Sequence, residues 1–188
     1  MNVLSLFDGM SCGQIALDQL GIKVDNYFAS EIDKHAIKVT QHNFPNTIQI
    51  GDVTKVKGED LPNIDLLIGG SPCQSFSSFG NGSGFEGKSG LFWEYIRLLK
   101  EVKPKYFLLE NVNMKEEWQD IISKEMGINP IRFNSNLVSA QNRDRLYWTN
   151  IDFDLPSDNE IKFNSILDDL PFREIPKCFY KNWGDKKG

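Results

Sequence analysis

A doubly wound α/β fold, with a mostly parallel sheet of about seven strands that ends in an antiparallel strand pair, is the architecture predicted by this sequence of 188 residues. Three observations carry the prediction. Short apolar runs, with Val3 to Phe7 the first, alternate with stretches of helical spacing. The first five runs are each closed by glycine or by an acidic residue, the punctuation of strand tips. The alternation persists to Asn150, and a sheet built this way places ligands at the carboxyl ends of its strands.

Val3-Leu4-Ser5-Leu6-Phe7 reads as a buried first strand, and Asp8 to Gly13 as a glycine-bearing turn. Gln14 to Leu20 is a helix ended by Gly21, where a left-handed cap is wanted. Asn26 to Ser30 is the second strand, closed by Glu31, and Asp33 caps a helix running to about His42. Phe44-Pro45-Asn46 breaks it; Thr47 to Ile50 is the third strand, with Gly51-Asp52-Val53 at its tip. Ile64 to Ile68 is the fourth strand. Residues 74 to 90 set five glycines among serines and read as a long flexible loop, of a length usual for lids. Leu91, Phe92, Tyr95, Ile96, Leu98 and Leu99 recur at helical spacing up to Pro104. Tyr106 to Leu109 is the fifth strand, ending at Glu110-Asn111, and Met114 to Met126 the next helix. Ile131 to Val138 and Arg145 to Asn150 are the final strand pair. Beyond Asn150 prolines dissolve the pattern, with at most a short helix near Ile166 to Leu170, so a domain of residues 1–155 is expected with a tail of 156–188.

Bulk properties exclude several classes. No run of about 18 apolar residues exists and the opening lacks a signal peptide, which places the chain in the cytoplasm and off the membrane. Cys12, Cys73 and Cys178 are odd in number and widely spaced, unlike a disulfide framework or a Cys-x-x-Cys metal site. His35 and His42 lie two helical turns apart, too far for one ion, so no metal is expected. The net charge of −5 argues against a broad nucleic-acid face. Residues 171 to 188 hold five Lys/Arg and two Asp/Glu, net +3, leaving −8 on residues 1 to 170. A DNA surface is then local, or completed by something else.

The residues that can carry chemistry cluster at the predicted strand tips. Gly69-Gly70-Ser71-Pro72-Cys73-Gln74-Ser75-Phe76-Ser77 presents a thiol at a ligand-facing edge. A lone cysteine is often a small core residue; partial exposure near backbone N–H groups favours the reactive thiolate instead. Gly9 and Gly13 allow close backbone approach of a ligand, Glu31 can accept from ribose hydroxyls, and Asp52 from an adenine amino group. The spacing is not Gly-x-Gly-x-x-Gly, so the pattern describes an adenosine site without a pyrophosphate cradle; a tight turn with two exposed acids is the ordinary alternative. Glu110, at an apolar tip beside strand four, can keep its proton by desolvation and donate to a ring nitrogen. Arg143 and Arg145 supply rigid donor forks for carbonyl oxygens or phosphates, or else form a plain polar connector.

Taken in order, these stretches resemble the cytosine-5 DNA methyltransferase family. The carriers are Leu6-Phe7-Asp8-Gly9 with Gly13, Glu31, Gly51-Asp52-Val53, Gly70 to Ser77, Leu91-Phe92-Trp93-Glu94, Glu110-Asn111-Val112 and Gln141-Asn142-Arg143-Asp144-Arg145. The resemblance implies a Rossmann-like, S-adenosylmethionine-dependent domain acting on double-stranded DNA. It implies that a Cys73 thiolate adds to carbon 6 of a flipped cytosine, that Glu110 meets the ring's N3 and exocyclic amine, and that Arg145, with Arg143 of the same motif, holds the carbonyl oxygen. The loop after Cys73 would close over the base. Phe7, Gly9, Met10, Gly13, Glu31, Ile32, Asp52, Val53, Pro72 and Leu91 would line the S-adenosylmethionine pocket, and Gln74, Ser77 and Asn111 would contact substrate.

Departures are specific. Ser5 stands where the usual opening has Asp, and the Gly9 to Gly13 turn is one residue longer than usual, as in the animal de novo methyltransferases and phage relatives. Ala140 stands where many members have proline. Family members continue into a target-recognition region and a final Gly-Asn-containing helix that completes the cofactor pocket. The expectation is therefore a catalytic half, in which residues 156–188 are a linker or the start of target recognition, with weak or absent activity in the absence of a C-terminal half. A restriction-modification or phage-protection setting fits. The same chemistry on tRNA cytosine, and a non-catalytic cofactor-binding remnant, stay open as alternatives. Amino-directed methylation is disfavoured, because its Asp/Ser-Pro-Pro-aromatic loop has proline where Cys73 stands.

Overall fold

The computed structural model describes residues 1–72 and 90–161. Among the described residues two compact units are found, Met1–Asn134 with Asp144–Leu155, and Ser135–Arg143 with residues 156–161.

In the first unit the strands β1 (Asn2–Leu6), β2 (Asn26–Ser30), β3 (Ile48–Gln49), β4 (Leu66–Gly70) and β5 (Tyr106–Val112) are parallel. The last two, β6 (Ile131–Asn134) and β7 (Asp144–Thr149), run antiparallel to each other, and β7 is antiparallel to β5. The sheet order is β3-β2-β1-β4-β5-β7-β6, so the winding reverses between β1 and β4. That switch point opens a crevice at the strands' carboxyl ends.

Helices α1 (Cys12–Gln19), α2 (Lys34–Asn43), α3 (Phe92–Val102) and α4 (Glu116–Met126) complete the layers. Alternate residues of β1 serve two cores, as the two-residue strand period requires. Val3 packs with Leu17 of α1, Tyr27, Ala29 and Leu66. Leu4 and Leu6 face the larger core, with Phe92, Tyr95, Ile96 and Leu98 of α3, Ile122 of α4, Leu109 and Trp148. Trp148, Tyr95 and Phe92 are fully buried there, and each such side chain contributes about 1.5–3 kcal/mol of transfer free energy. The Asp33 side chain caps α2 by accepting from the His35 and Ala36 amides at 2.7 and 3.0 Å. Gly127, at φ +70°, ends α4.

The boundaries differ from expectation in instructive places. β4 begins at Leu66 rather than Ile64, because the ladder with β1 starts there and Asp65 turns its carboxylate to the Asn2 amide at 2.7 Å. Gly69 and Gly70, expected beyond the strand, belong to it, opposite Leu109 and Glu110. β5 runs on to Val112 because β7 pairs with Glu110, Asn111 and Val112. β6 stops at Asn134, where the chain turns into the 3-10 segment Ser135–Leu137. The glycine-rich stretch 74–89 and the expected helix at 166–170 lie outside the described residues. Among the described residues no helix is long and apolar enough to cross a membrane.

Within the second unit, the Ser135 amide donates to the Arg143 carbonyl at 3.1 Å, and the Ser135 hydroxyl to the Gln141 carbonyl at 2.7 Å. The Asn159 amide donates to the Leu137 carbonyl at 2.8 Å.

Candidate active site

The turn after β1 is bent against its own preferences. Phe7 and Ser11 adopt left-handed backbone at φ +58° and +61°, which side chains other than glycine avoid, and Gly9 does so at +59°. Such strain persists only where surroundings over-determine it. Here the Tyr27 hydroxyl donates to Asp8 Oδ1 at 2.8 Å, the Ser11 hydroxyl to Asp8 Oδ2, and the Gly9 amide to Glu31 Oε2 at 2.8 Å. Burial, and then the Asp8 carboxylate, push the Tyr27 phenol far above its usual range, so it remains a donor.

Beside this turn lies a cavity of about 440 Å³, inside the range of small-molecule sites, about 300–1,000 Å³. Among the expected cofactor residues, Phe7, Glu31, Ile32, Asp52, Val53, Pro72 and Leu91 stand in its wall. Ser30, Asp33 and Gly51 stand there too, unanticipated. Their signal was weak: Ser30 and Gly51 only flank the two acids, and Asp33 reads as a cap. The Ser30 hydroxyl ties the ends of β2 and β3 together by donating to the Gly51 carbonyl at 2.7 Å.

Two acids present acceptors to the cavity. Glu31 Oε1 accepts from the Ile32 and Asp33 amides at 2.7 and 2.8 Å, and its Oε2 from Gly9, which leaves Oε2 a further lone pair. Asp52 Oδ1 takes both the Thr54 amide at 3.0 Å and the Thr54 hydroxyl at 2.9 Å, leaving Oδ2 for a ligand. Those Thr54 donors, the amide first, hold the Asp52 carboxyl below the usual carboxylate range, so it is an ionised acceptor at neutral pH. Two oriented acceptors with Phe7, Ile32, Val53 and Leu91 between them suit an adenosine: hydroxyls on one side, an amino group on the other, a flat apolar ring between.

The other three expected cofactor residues, Gly9, Met10 and Gly13, are not in that wall. Gly9 spends its amide on Glu31. Met10 is 55% exposed. Gly13 serves packing instead: a Cβ there would lie 2.4 Å from Ile68 Cδ1 and 2.9 Å from the Tyr27 hydroxyl, so its bareness lets α1 approach the sheet.

The catalytic candidates gather one strand further on. Gly70 of β4 pairs with Glu110 of β5, and a Cβ on Gly70 would lie 3.2 Å from Glu110 Oε2. Arg145 of β7 donates from Nε to Glu110 Oε1 at 2.9 Å and from a terminal nitrogen to the Asp144 carbonyl at 2.8 Å. Glu110 therefore does not sit at the purely apolar tip that the sequence suggests; it faces a guanidinium. Arg132 grips both Asp144 oxygens at 3.0 and 3.1 Å from Nε and Oδ2 at 2.6 Å from a terminal nitrogen, fixing the residue before Arg145.

Asn111, 1% exposed, acts within the protein. Its Nδ2 donates to the Ser71 hydroxyl at 2.9 Å, and its Oδ1 accepts from the Val112 amide at 2.8 Å, clamping the end of β4 to β5. Arg143 belongs to the second unit. Cys73, Gln74 and Ser77 lie outside the described residues; the chain reaches them through buried Ser71 and through Pro72 in the cavity wall.

Residues 1–175 match the family described as C-5 cytosine-specific DNA methylase. The orphan methyltransferase M.SPRI of Bacillus phage SPR is 37% identical over 174 residues, covering 85% of this chain and 40% of that protein. Type II methyltransferase M1.ScrFI of Lactococcus lactis subsp. cremoris is 45% identical over 115 residues, covering 60% of this chain and 29% of its own length. The chain thus spans about two fifths of the phage relative and less of the bacterial one. Among solved structures, a prophage-encoded Escherichia coli protein described as a DNA modification methyltransferase matches with a TM-score of 0.66 at 28% identity, over 79% of this chain and 46% of that one. The S. pombe Dnmt2 methyltransferase matches in fold with a TM-score of 0.64 at 23% identity, over 83% and 53%.

Proposed function

Because the chain belongs to the C-5 cytosine-specific DNA methylase family, we propose that it performs methyl transfer to carbon 5 of cytosine in DNA, with Cys73 as nucleophile. The observation that carries this reading is the register at the sheet's centre. Gly70 lies opposite Glu110 and leads through Ser71 and Pro72, the latter in the cavity wall, directly to Cys73.

Carbon 5 of cytosine is a weak nucleophile on its own. A Cys73 thiolate adding to carbon 6 forms an S–C bond and moves an electron pair towards N3, where a proton from Glu110 neutralises it; carbon 5 becomes enamine-like. Arg145 stabilises the carbonyl oxygen. Of the five N–H donors of a guanidinium, one is engaged with Glu110 and one with the Asp144 carbonyl, so donors remain for that oxygen. S-adenosylmethionine, when bound, supplies an electrophilic methyl group. Glu31 would hold its ribose and Asp52 its adenine amino group, against the apolar wall of Phe7, Ile32, Val53 and Leu91. As carbon 5 takes the methyl group the N3 proton returns to Glu110; a base then removes the carbon 5 proton, the freed pair forms the carbon 5–carbon 6 double bond, and Cys73 leaves as thiolate.

Stacked DNA hides carbon 6, so the substrate cytosine is read as flipped out of a duplex. Residues 1–155 are assigned the chemistry. Reading of the target sequence is assigned to a C-terminal half, supplied beside these residues, which also suits the −8 charge of residues 1 to 170.

Incubating the chain, supplemented in trans with the C-terminal region of the phage SPR relative, with labelled S-adenosylmethionine and either duplex DNA or tRNA tests the reading. Nucleoside mass spectrometry is expected to find 5-methyl-2′-deoxycytidine. N4-methyl-2′-deoxycytidine, or label confined to tRNA, would contradict it. Cofactor binding without any methylated base would identify a remnant that binds but does not catalyse.

A further inference from the structure

The geometry points to Arg97 of α3 as a positioning residue for the adenosine end of the cavity, an inference that rests on the cavity being the S-adenosylmethionine site proposed above. Between β3 and β4, residues 52–61 form two short 3-10 turns, Val53–Lys55 and Gly58–Asp60. Their backbone hydrogen bonds are local: the Lys55 amide to the Asp52 carbonyl at 2.9 Å, and the Leu61 amide to the Gly58 carbonyl at 3.2 Å. Val53 and Val56 are buried in the core, but apolar packing is non-directional and does not by itself aim a carbonyl or a carboxylate.

The directional restraints come from one helix. A terminal nitrogen of Arg97 donates to the Val53 carbonyl at 3.1 Å. The same nitrogen and Nε grip Glu94 Oε2 at 2.7 and 2.9 Å, and the other terminal nitrogen donates to Glu101 Oε1 at 2.9 Å. Glu101 Oε2 in turn accepts from the Gly58 amide at 2.7 Å. Gly58 permits this approach, since a Cβ there would lie 2.6 Å from the Glu101 Cβ. Among the described residues, the hydrogen bonds that tie residues 52–61 to another element come from α3. Both turns are therefore hung on one face of a helix whose preceding residue, Leu91, also lines the cavity.

Stability is not the main use of this network. The Arg97, Glu94 and Glu101 side chains are 33%, 26% and 37% exposed, and ion pairs so placed contribute little to folding. Their effect belongs to binding. A segment that Arg97 no longer holds has to be ordered by the ligand, and that ordering cost is subtracted from affinity. Arg97 is not in the cavity wall; it acts through the Val53 carbonyl and the turn that carries Asp52.

Titration of the full ¹⁵N-labelled chain with S-adenosylhomocysteine, followed at the Glu31, Gly51 and Val53 amides, tests this together with the thermal midpoint of each ligand-free protein. Arg97→Met is expected to raise Kd about tenfold while the midpoint moves by no more than about 4 °C. Arg97→Lys, which keeps the charge and one reach of donors, is expected to recover part of the affinity. Should Arg97→Met fail to fold, Glu101→Ala, which releases the Gly58 amide, is expected to weaken binding in the same sense. Wild-type affinity in Arg97→Met, or in Glu101→Ala where that variant stands in, overturns the inference. A wild-type chain whose amides do not respond to S-adenosylhomocysteine, even with the unlabelled C-terminal region of the phage SPR relative present, overturns the reading of the cavity itself, a result no Arg97 variant can imitate.

Discussion

Arg145 holds Glu110 on one side, and the missing side chain of Gly70 gives it room on another. Arg145 fixes Oε1 at 2.9 Å, while Oε2 lies 3.2 Å from where a side chain at Gly70 would begin. The sequence shows that a Glu, an Arg and a Cys stand at strand ends. It cannot show that Glu110 and Arg145 touch, because that contact depends on the antiparallel register of two strands 35 residues apart. For the same reason Glu110 reads from sequence as an isolated acid at an apolar tip. Gly70→Ala would bring a methyl group to 3.2 Å from an oxygen that Arg145 keeps from yielding. We expect it to slow single-turnover methyl transfer about tenfold, a loss of about 1.4 kcal/mol in the barrier, while S-adenosylhomocysteine binding stays unchanged. Wild-type turnover in this variant would show that Glu110 is not held as described. Asn111 follows the same logic: the resemblance implies a substrate contact, and the structure shows it buried, donating to the Ser71 hydroxyl and accepting from the Val112 amide.

Elements were legible where local chemistry decides them. Asp33 as the cap of α2 and the start of α3 near Leu91 follow from short-range rules, and β2 occupies the expected residues. The strand ends moved where a distant partner decides them: β4 slid two residues towards its glycines to match β1, and β5 grew three residues to meet β7. The Gly9 to Gly13 turn shows both cases. Its glycines signal close approach, and at Gly13 the structure shows the approaching body to be the sheet. With Ile68 Cδ1 at 2.4 Å and the Tyr27 hydroxyl at 2.9 Å from the added carbon, Gly13→Ala has to push α1 outward or displace the hydroxyl that anchors Asp8. Overpacking of this kind costs about 1–3 kcal/mol, and urea unfolding monitored by circular dichroism should show it as a lower midpoint at unchanged slope. A midpoint equal to wild type would mean that the helix has slack that the packing does not suggest.

At the scale of the molecule, one sheet gathers residues from most of the chain at its carboxyl edge. β1, β2 and β3 deliver the turn and the two acids of the cavity; β4, β5 and β7 deliver Gly70, Glu110 and Arg145. The doubly wound class and the antiparallel close could be read from alternation and spacing alone, because hydrophobic period and connection length are short-range signals; the strand order could not. Which glycines make room and which acceptors remain free are set by three-dimensional packing. The central claim is that Cys73 attacks carbon 6 of cytosine, and a trap for that bond tests it most directly. The full chain, supplemented in trans with the C-terminal region of the phage SPR relative, is incubated with S-adenosylmethionine and a duplex in which 5-fluorocytosine stands opposite a mismatch, which lowers the cost of flipping. Fluorine at carbon 5 blocks the last proton loss, so the S–C bond should persist, and peptide mass spectrometry should place the nucleotide on the peptide containing Cys73. Cys73→Ser should show no adduct. A wild-type chain that binds S-adenosylmethionine yet forms no adduct, or an adduct that survives Cys73→Ser, would contradict the account.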